Sequence, residues 1–401
     1  MSSICGPTKG VFVSVKNQMD YDVIRQAMSG EITQMQAAVK LGKSYRQTKR
    51  LIKKVSELGI AGLLHGNRGS IAHNRCSDEL KQEVLKLLRE RYFDFNLTHF
   101  REKLETEHGI QVKRESLRKW AHEEKLVKRA HHQKRKPKIH RTRHRMPRIG
   151  MMIQMDGSSH RWVGKDNPEC CLIGAIDDAT GTCLYAEFFP AEDTLSVLTV
   201  LMKIVENFGV PEVLYVDQAA HFGKANTRSR FVNWKEHLTH VEHAMAELGC
   251  RVLFAPTPQA KGRIERMWNT FQDRLIPELR IRHIGRIPTA NYFLHNHFIP
   301  EFNQRFATIP SDPNSSYQPI PQRFVGALDD VFCIREWRKV TPGETLSWDG
   351  KMYSVHHDYR YSIRGLQIEL RTRLDGSWQA FHAHRPVELR LFESPLKKSA
   401  A

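Results

Sequence analysis

Gln259-Ala260-Lys261-Gly262-Arg263-Ile264-Glu265-Arg266 opens a run in which Ile264, Trp268, Phe271 and Leu275 recur at helical spacing. Glu265 therefore falls on the first turn of an amphipathic helix, on the flank of its buried stripe. Upstream, two aspartates end or closely follow strand-like runs. Asp156 stands in Gln154-Met155-Asp156-Gly157 after the alternating Met151, Ile153 and Met155, and Asp217 stands in Tyr215-Val216-Asp217-Gln218 after the apolar Val213 to Val216. Three carboxylates so placed are expected to converge at one sheet edge. Carboxylate oxygens are hard ligands, and such a set suits Mg²⁺ or Mn²⁺, with two ions expected for phosphoryl transfer on DNA.

Working outward from that cluster, residues 149–300 alternate strand and helix. Ile149 to Asp156, the continuous apolar run Cys171 to Ile176, and Cys183 to Phe189 after the turn Asp178-Ala179-Thr180-Gly181 predict three antiparallel strands. Leu195, Leu198, Met202 and Val205 predict a helix over Thr194 to Phe208; Val213 to Val216 is the fourth strand, Val241 to Leu248 a helix and Arg251 to Ala255 the fifth strand. The order βββαβαβα is that of a ribonuclease H-like fold, so the chain reads as a multidomain α/β protein with that core.

Charge separates this core from what precedes it. Residues 1–148 hold 33 Lys and Arg against 15 Asp and Glu, while the remainder holds 29 against 29, so the whole formal charge of +18 is N-terminal. A basic half joined to a neutral half predicts a polyanion-binding region that delivers a separate functional domain. After a loose terminus (1–18), residues 19–66 read as a helix-turn-helix domain: Thr33 to Leu41, a break at Gly42, then Ser44 as N-cap of a helix carrying Arg46, Lys49, Arg50 and Lys53. Residues 77–127 read as a second helical, helix-turn-helix-like set whose last helix carries Arg114, Arg118 and Lys119. Residues 128–148 contain ten Lys/Arg, four His and no acid, among them Lys134, Arg135, Lys136, Arg141 and Arg143. Like charges at that density do not collapse into a core, and an extended linker that contacts DNA phosphates is expected.

Gln154-Met155-Asp156-Gly157-Ser158, Ile176-Asp177-Asp178-Ala179-Thr180-Gly181 and Pro258-Gln259-Ala260-Lys261-Gly262-Arg263-Ile264-Glu265-Arg266 resemble the DDE transposase and retroviral integrase superfamily, most closely ISNCY-type insertion-sequence transposases. The resemblance covers nearly the whole chain. It implies that Asp156, Asp217 and Glu265 are the catalytic and metal-binding triad. It also implies that Lys261, Arg263 and Arg266 meet the scissile phosphate region, and that the protein cuts and joins double-stranded DNA at element ends and target sites. A homo-oligomer on DNA and a nucleoid location in the cytoplasm follow from it as expectations. One departure is that Asp217 is followed by Gln218-Ala219-Ala220-His221-Phe222 rather than an Asp-Lys/Asn-His-Ser pattern. Two function classes therefore stand: the enzyme, and a catalytically silent transposase-derived DNA-binding protein.

Other features read more plainly. Asp177 and Asp178 lie at a hairpin, where Asp is common for backbone reasons. Glu236, His240, His243 and Glu247 share one helical face, and a solvated polar face is expected there ahead of a metal site. Residues 301–333 form a connector, and 334–392 carry short alternating runs with Asp349-Gly350 and Asp375-Gly376 turns, predicting a small SH3-like barrel in which Arg360, Arg364, Arg371 and Arg373 are candidates for DNA contact. Seven scattered cysteines without a C-x-x-C indicate neither a zinc knuckle nor a disulfide framework, and no apolar stretch is long enough for a bilayer, so a soluble protein of a reducing compartment is expected.

Overall fold

A computed structural model describes residues 15–64, 76–127, 143–164, 167–217, 238–255, 261–383 and 385–392, in two compact units, Met1–Lys81 and Gln82–Ala401. The first unit holds α1 (Val15–Met28), α2 (Gln34–Leu41) and α3 (Tyr45–Leu58), followed by a 3₁₀ turn at Gly59–Leu63. Thr33 and Ser44 begin α2 and α3 with reciprocal caps. Each hydroxyl accepts from the backbone N–H three residues on, and the side chains of Gln36 and Gln47 accept from the cap N–H groups at 2.9 and 3.2 Å. Gly42 turns the chain between the helices with φ 61°, a left-handed conformation that a side chain disfavours. Ile24, Ala37, Ala38 and Val55 are buried, which leaves Arg46, Lys49, Arg50 and Lys53 all exposed along α3.

The second unit opens within α4 (Asp78–Glu90), followed by α5 (Leu97–His108) and α6 (Arg114–Glu123). Its central five-stranded sheet comprises β1 (Ile153–His160), β2 (Cys170–Asp177), β3 (Cys183–Phe189), β4 (Val213–Val216) and β5 (Arg251–Phe254) in the order β3-β2-β1-β4-β5. β1, β2 and β3 are antiparallel, whereas β4 and β5 run parallel to β1. This is the predicted strand sequence, with one difference. β1 continues through Asp156 to His160 because β2 pairs with it along its whole length, from Ile153↔Asp177 to His160↔Cys170.

Alternation along the strands gives the sheet two covered faces. Ile153, Met155, Leu214 and Val216 pack against α7 (Thr194–Phe208) and α8 (His240–Leu248). On the other face Leu172, Ile176, Ala186 and Phe188 pack against α9 (Gly262–Ile281), through Trp268, Phe271 and Leu275. A helical segment of α10 (Ile287–Phe293), a π turn at Leu294–Phe298 and α11 (Ile299–Phe306) closes over α9, with Phe298 and Phe302 edge-on to Phe271 at 4.9 Å. Gly174 of β2 lies under the Trp268 ring: a Cβ there would stand 2.7 Å from Ala186 Cβ and 3.1 Å from Trp268. Gly174→Ala is expected to force α9 off the sheet locally and to destabilise by about 1–3 kcal/mol, read as a lower thermal midpoint.

Helix α5 and the turn before it are fixed to α9 by ion pairs rather than left on a tether. Glu278 of α9, only 3% exposed, accepts from His99 at 2.8 Å and from Lys103 at 2.7 Å, and pairs with Arg282. Glu102 pairs with Arg274 at 2.7 Å and with Arg305, and Asp94 holds Arg280 at 2.6 Å.

The C-terminal sheet comprises β6 (Ile334–Lys339), β7 (Thr345–Trp348), β8 (Lys351–His356), β9 (Gln367–Thr372), β10 (Trp378–His382) and β11 (Arg385–Leu391), all pairs antiparallel, in the order β6-β9-β10-β11-β8-β7. Asp349 and Gly350, with φ 48° and 70°, make the tight two-residue turn between β7 and β8. Val340, Leu346, Val355, Ile368, Leu370 and Ala380 form its own apolar centre.

Candidate active site

The pairing register brings two of the three expected carboxylates together. β1 and β4 are parallel with Gln154 opposite Tyr215, so two residues further on Asp156 and Asp217 stand side by side. Met155 points to the α7 and α8 face, which turns Asp156 toward α9. At that level the chain places Lys261, the residue preceding α9. Its Nζ lies 2.5 Å from Asp156 Oδ1 and 3.8 Å from Asp217 Oδ2, with a side chain only 4% exposed. Burial pushes the Asp156 carboxyl above the usual range, opposed by the charge and hydrogen bond of Lys261 and reinforced by Asp217 and Glu192.

Glu265 stands on the first turn of α9 and is exposed. Four residues beyond Lys261, it occupies the same helical face one turn along. Among the described residues no group of three His, Cys, Asp or Glu side chains is already gathered as a metal site. The two aspartates are gathered, and Glu265 stands apart from them. Residues 256–260 and 218–237, which hold the expected approach to Glu265, the departure after Asp217, and Glu236, lie outside the described residues, as do Lys134, Arg135, Lys136 and Arg141.

The ammonium tests whether these residues fit a cation. Two carboxylate oxygens from adjacent strands converge on one positive charge, and carboxylates suit divalent ions of the Mg²⁺ class. This donor set therefore suits the expected metal at Asp156 and Asp217, and Glu265 is the first carboxylate along α9.

Arg143 and Arg263 are placed differently from the phosphate-facing arrangement expected of them. Both turn onto Asp178, whose side chain is wholly buried: Arg263 Nη1 donates at 2.8 Å, the Gln154 amide at 2.7 Å, the Met146 N–H at 2.9 Å, and Arg143 completes the set. Arg263 also donates to the Arg143 carbonyl at 2.8 Å. Asp178 thus ties the end of the basic linker, the strand bearing Asp156 and the helix bearing Glu265. Asp177 does what a hairpin aspartate does, accepting from the N–H groups of Ala179, Thr180 and Gly150 at 2.9–3.1 Å. Arg266 is exposed and donates to the Gly262 carbonyl at 3.0 Å. On α6, Arg118 pairs with Glu115 at 2.9 Å and Lys119 lies 3.9 Å from Glu123, both on the surface.

Among the described residues the polar face of α8 is not left to solvent. It seats the C-terminal sheet. Glu247 pairs with Arg335 at 2.7 Å, His240 Nδ1 accepts from the Arg335 N–H at 3.2 Å, and His243 lies against Trp337 with ring centroids 5.3 Å apart. Burial, then the Arg335 charge, pushes both histidines below their usual range. Arg371 and Arg373 are likewise engaged, with Glu369 at 3.0 Å and Asp330 at 2.6 Å. The sequence signal is ambiguous here, since an i, i+4, i+7 polar face describes a docking face as well as a wet one.

Residues 22–82 match the winged helix-turn-helix family. The chain thus carries an N-terminal helix-turn-helix region and a mixed α/β unit whose central sheet sets two aspartates side by side. It is 30% identical over 387 residues to the putative transposase y4bF of Sinorhizobium fredii, covering 96% of this chain and 82% of that protein. It is also 30% identical over 317 residues to the transposase for insertion sequence IS1202 of Streptococcus pneumoniae, covering 71% of this chain and 67% of that protein. The chain belongs to the family of insertion-sequence transposases. Among solved structures it is similar to a cryo-EM structure of a simian T-cell lymphotropic virus intasome in complex with a PP2A regulatory subunit, at 13% identity and a TM-score of 0.31, over 78% of this chain and 99% of that one.

Proposed function

We propose that this transposase binds the ends of its element in double-stranded DNA, and that Asp156, Asp217 and Glu265 form a metal-dependent site that cuts and joins DNA strands. One observation carries the reading: aspartates from adjacent parallel strands share a single cation at the start of the helix that bears Glu265. The strand order β3-β2-β1-β4-β5, with helices on both faces, supports a ribonuclease H-like core, and the six-stranded C-terminal sheet supports a small SH3-like barrel. Asp156 and Asp217 would hold Mg²⁺ or Mn²⁺, with Glu265 brought in from α9 when DNA is bound. Bound divalent ions supply activation of an attacking water or 3′-hydroxyl and neutralisation of the leaving oxygen. The residues of this chain hold the reacting phosphate in place beside them, and Arg266, exposed one position beyond Glu265, contacts DNA there. A homo-oligomer assembled on two element ends, in the nucleoid, completes the proposal.

End binding falls to α3. Arg46, Lys49, Arg50 and Lys53 are exposed on one helix, a placement suited to phosphate and groove contacts. Lys49→Ala or Arg50→Ala is expected to weaken end binding and to lower the slope of log affinity against log salt by about one. Fluorescence anisotropy on a labelled end at several salt concentrations checks this.

The test uses the purified chain with DNA from the flanks of its own coding region. Mg²⁺- or Mn²⁺-dependent nicking at the element boundary and joining to a target plasmid are expected. Binding without cleavage or joining in either metal would instead establish a catalytically silent DNA-binding protein. That second reading draws on the exposed, ungathered position of Glu265 among the described residues.

A further inference from the structure

The family resemblance sets Lys261 against the scissile phosphate region, yet its side chain is almost entirely buried. An ammonium does not bury itself without partners, because taking it from water costs several kcal/mol unless opposite charge surrounds it. Here the partners are the two aspartates assigned above to metal. We propose that Lys261 is a resident counter-ion of the metal-free site: it holds Asp156 and Asp217 together before metal arrives, and the metal must displace it. The inference rests on the reading that these aspartates bind metal.

Three features support the exchange. The Nζ contacts oxygens of both aspartates, at 2.5 and 3.8 Å, so a divalent ion using the same oxygens and the ammonium are mutually exclusive neighbours. Lys261 precedes the first residue of α9, where it has φ −95° and ψ 20° and no side-chain cap bond to the helix. Its stem can therefore swing away while the helix, anchored by Trp268 and Phe271 in the core, stays in place. Glu192 adds negative potential beside Asp156, and its carboxyl lies over Gly157, where a Cβ would meet it at 2.3 Å. Three carboxylates without a cation would repel, so an apo site of this kind needs a charge that can leave. Lys261 is then a positioning residue, setting how readily the site loads.

The test is Mn²⁺ binding to the full chain without DNA, followed by loss of the free-ion electron paramagnetic resonance signal. Lys261→Met removes the competitor and is expected to bind Mn²⁺ about tenfold tighter or more than the wild type, whereas Lys261→Arg gains nothing. Equal or weaker binding by a folded Lys261→Met overturns the inference. Wild-type protein provides a second measurement that needs no variant. Lys261 should resist an amine-acylating reagent in metal-free buffer and become reactive in Mn²⁺, as read by mass spectrometry. Unchanged protection on adding Mn²⁺ overturns the inference, and this measurement decides the matter if Lys261→Met does not fold. Asp156→Asn separates the metal assignment from the counter-ion role. If it loses Mn²⁺ while Lys261→Met matches the wild type, the counter-ion inference alone fails. If it binds Mn²⁺ as the wild type does, the metal assignment fails and takes the inference with it.

Discussion

Asp156→Asn is expected to lower metal-dependent strand cleavage by about a thousandfold or more while end binding stays within about a factor of two to three. The size follows from what the carboxylate contributes. Metal stabilisation of transition-state charge is worth several kcal/mol, and each 1.36 kcal/mol is about tenfold in rate. An amide keeps the shape and one oxygen but gives up the charge. The separation between cleavage and binding follows from the fold. Asp156 lies in the sheet of the second unit, whereas the basic face of α3 lies in the first. The substitution also removes the partner of a buried ammonium, with Asp217 left at 3.8 Å to compensate. A modest loss of thermal stability is therefore expected alongside the loss of activity. Nicking assays under Mg²⁺ paired with binding anisotropy measure both, and cleavage near the wild-type level would remove Asp156 from the site.

The second large effect concerns Glu278. Burial pushes this carboxyl up, but hydrogen bonds from His99 and Lys103 and the charges of Lys103 and Arg282 outweigh burial and hold it at about 2. A carboxylate depressed in the folded state contributes stability that is complete above its unfolded value near 4.5 and is lost as pH falls through the folded value near 2. The difference corresponds to about 3 kcal/mol, a figure of order of magnitude for so tightly coupled a group. Glu278→Gln is expected to cost about 3–5 kcal/mol at neutral pH, since Lys103 is left buried with only Glu107, at 3.2 Å, to answer its charge. Denaturant unfolding at pH 7 and pH 3 checks both parts. The wild type should lose stability between those values and Glu278→Gln should lose less. A variant as stable as the wild type at pH 7 would mean that the buried network does not hold α5 to α9.

Much of this architecture is legible locally. The cap at Ser44, the apolar period of α7, the succession of strands along the chain and the helix carrying Glu265 all follow from spacing within ten or fifteen residues, where backbone geometry speaks directly. What spacing does not carry is the choice of partner for a charge. Lys261 and Asp156 are 105 residues apart, Arg263 and Asp178 are 85 apart, and Arg335 and Glu247 are 88 apart. Lys261 and Arg263 read as DNA-facing cations until the fold brings a carboxylate to each. Asp178 shows the same limit from the other side. A hairpin aspartate is ordinary, and only its buried position between linker, strand and helix makes it a tie among Arg143, Gln154 and Arg263. The two aspartates of the site are visible because strand ends announce themselves, whereas their shared register is not, because parallel pairing of β1 with β4 skips over β2 and β3.

In the proposed site Glu265 joins Asp156 and Asp217 around metal when DNA is present. Anomalous scattering from crystals of the chain with Mn²⁺ and a DNA end tests it most directly. Manganese between Asp156 and Asp217, with the Glu265 carboxylate as a ligand, is the predicted result. Manganese bound elsewhere, or bound at the aspartates with Glu265 still turned to solvent, would contradict it.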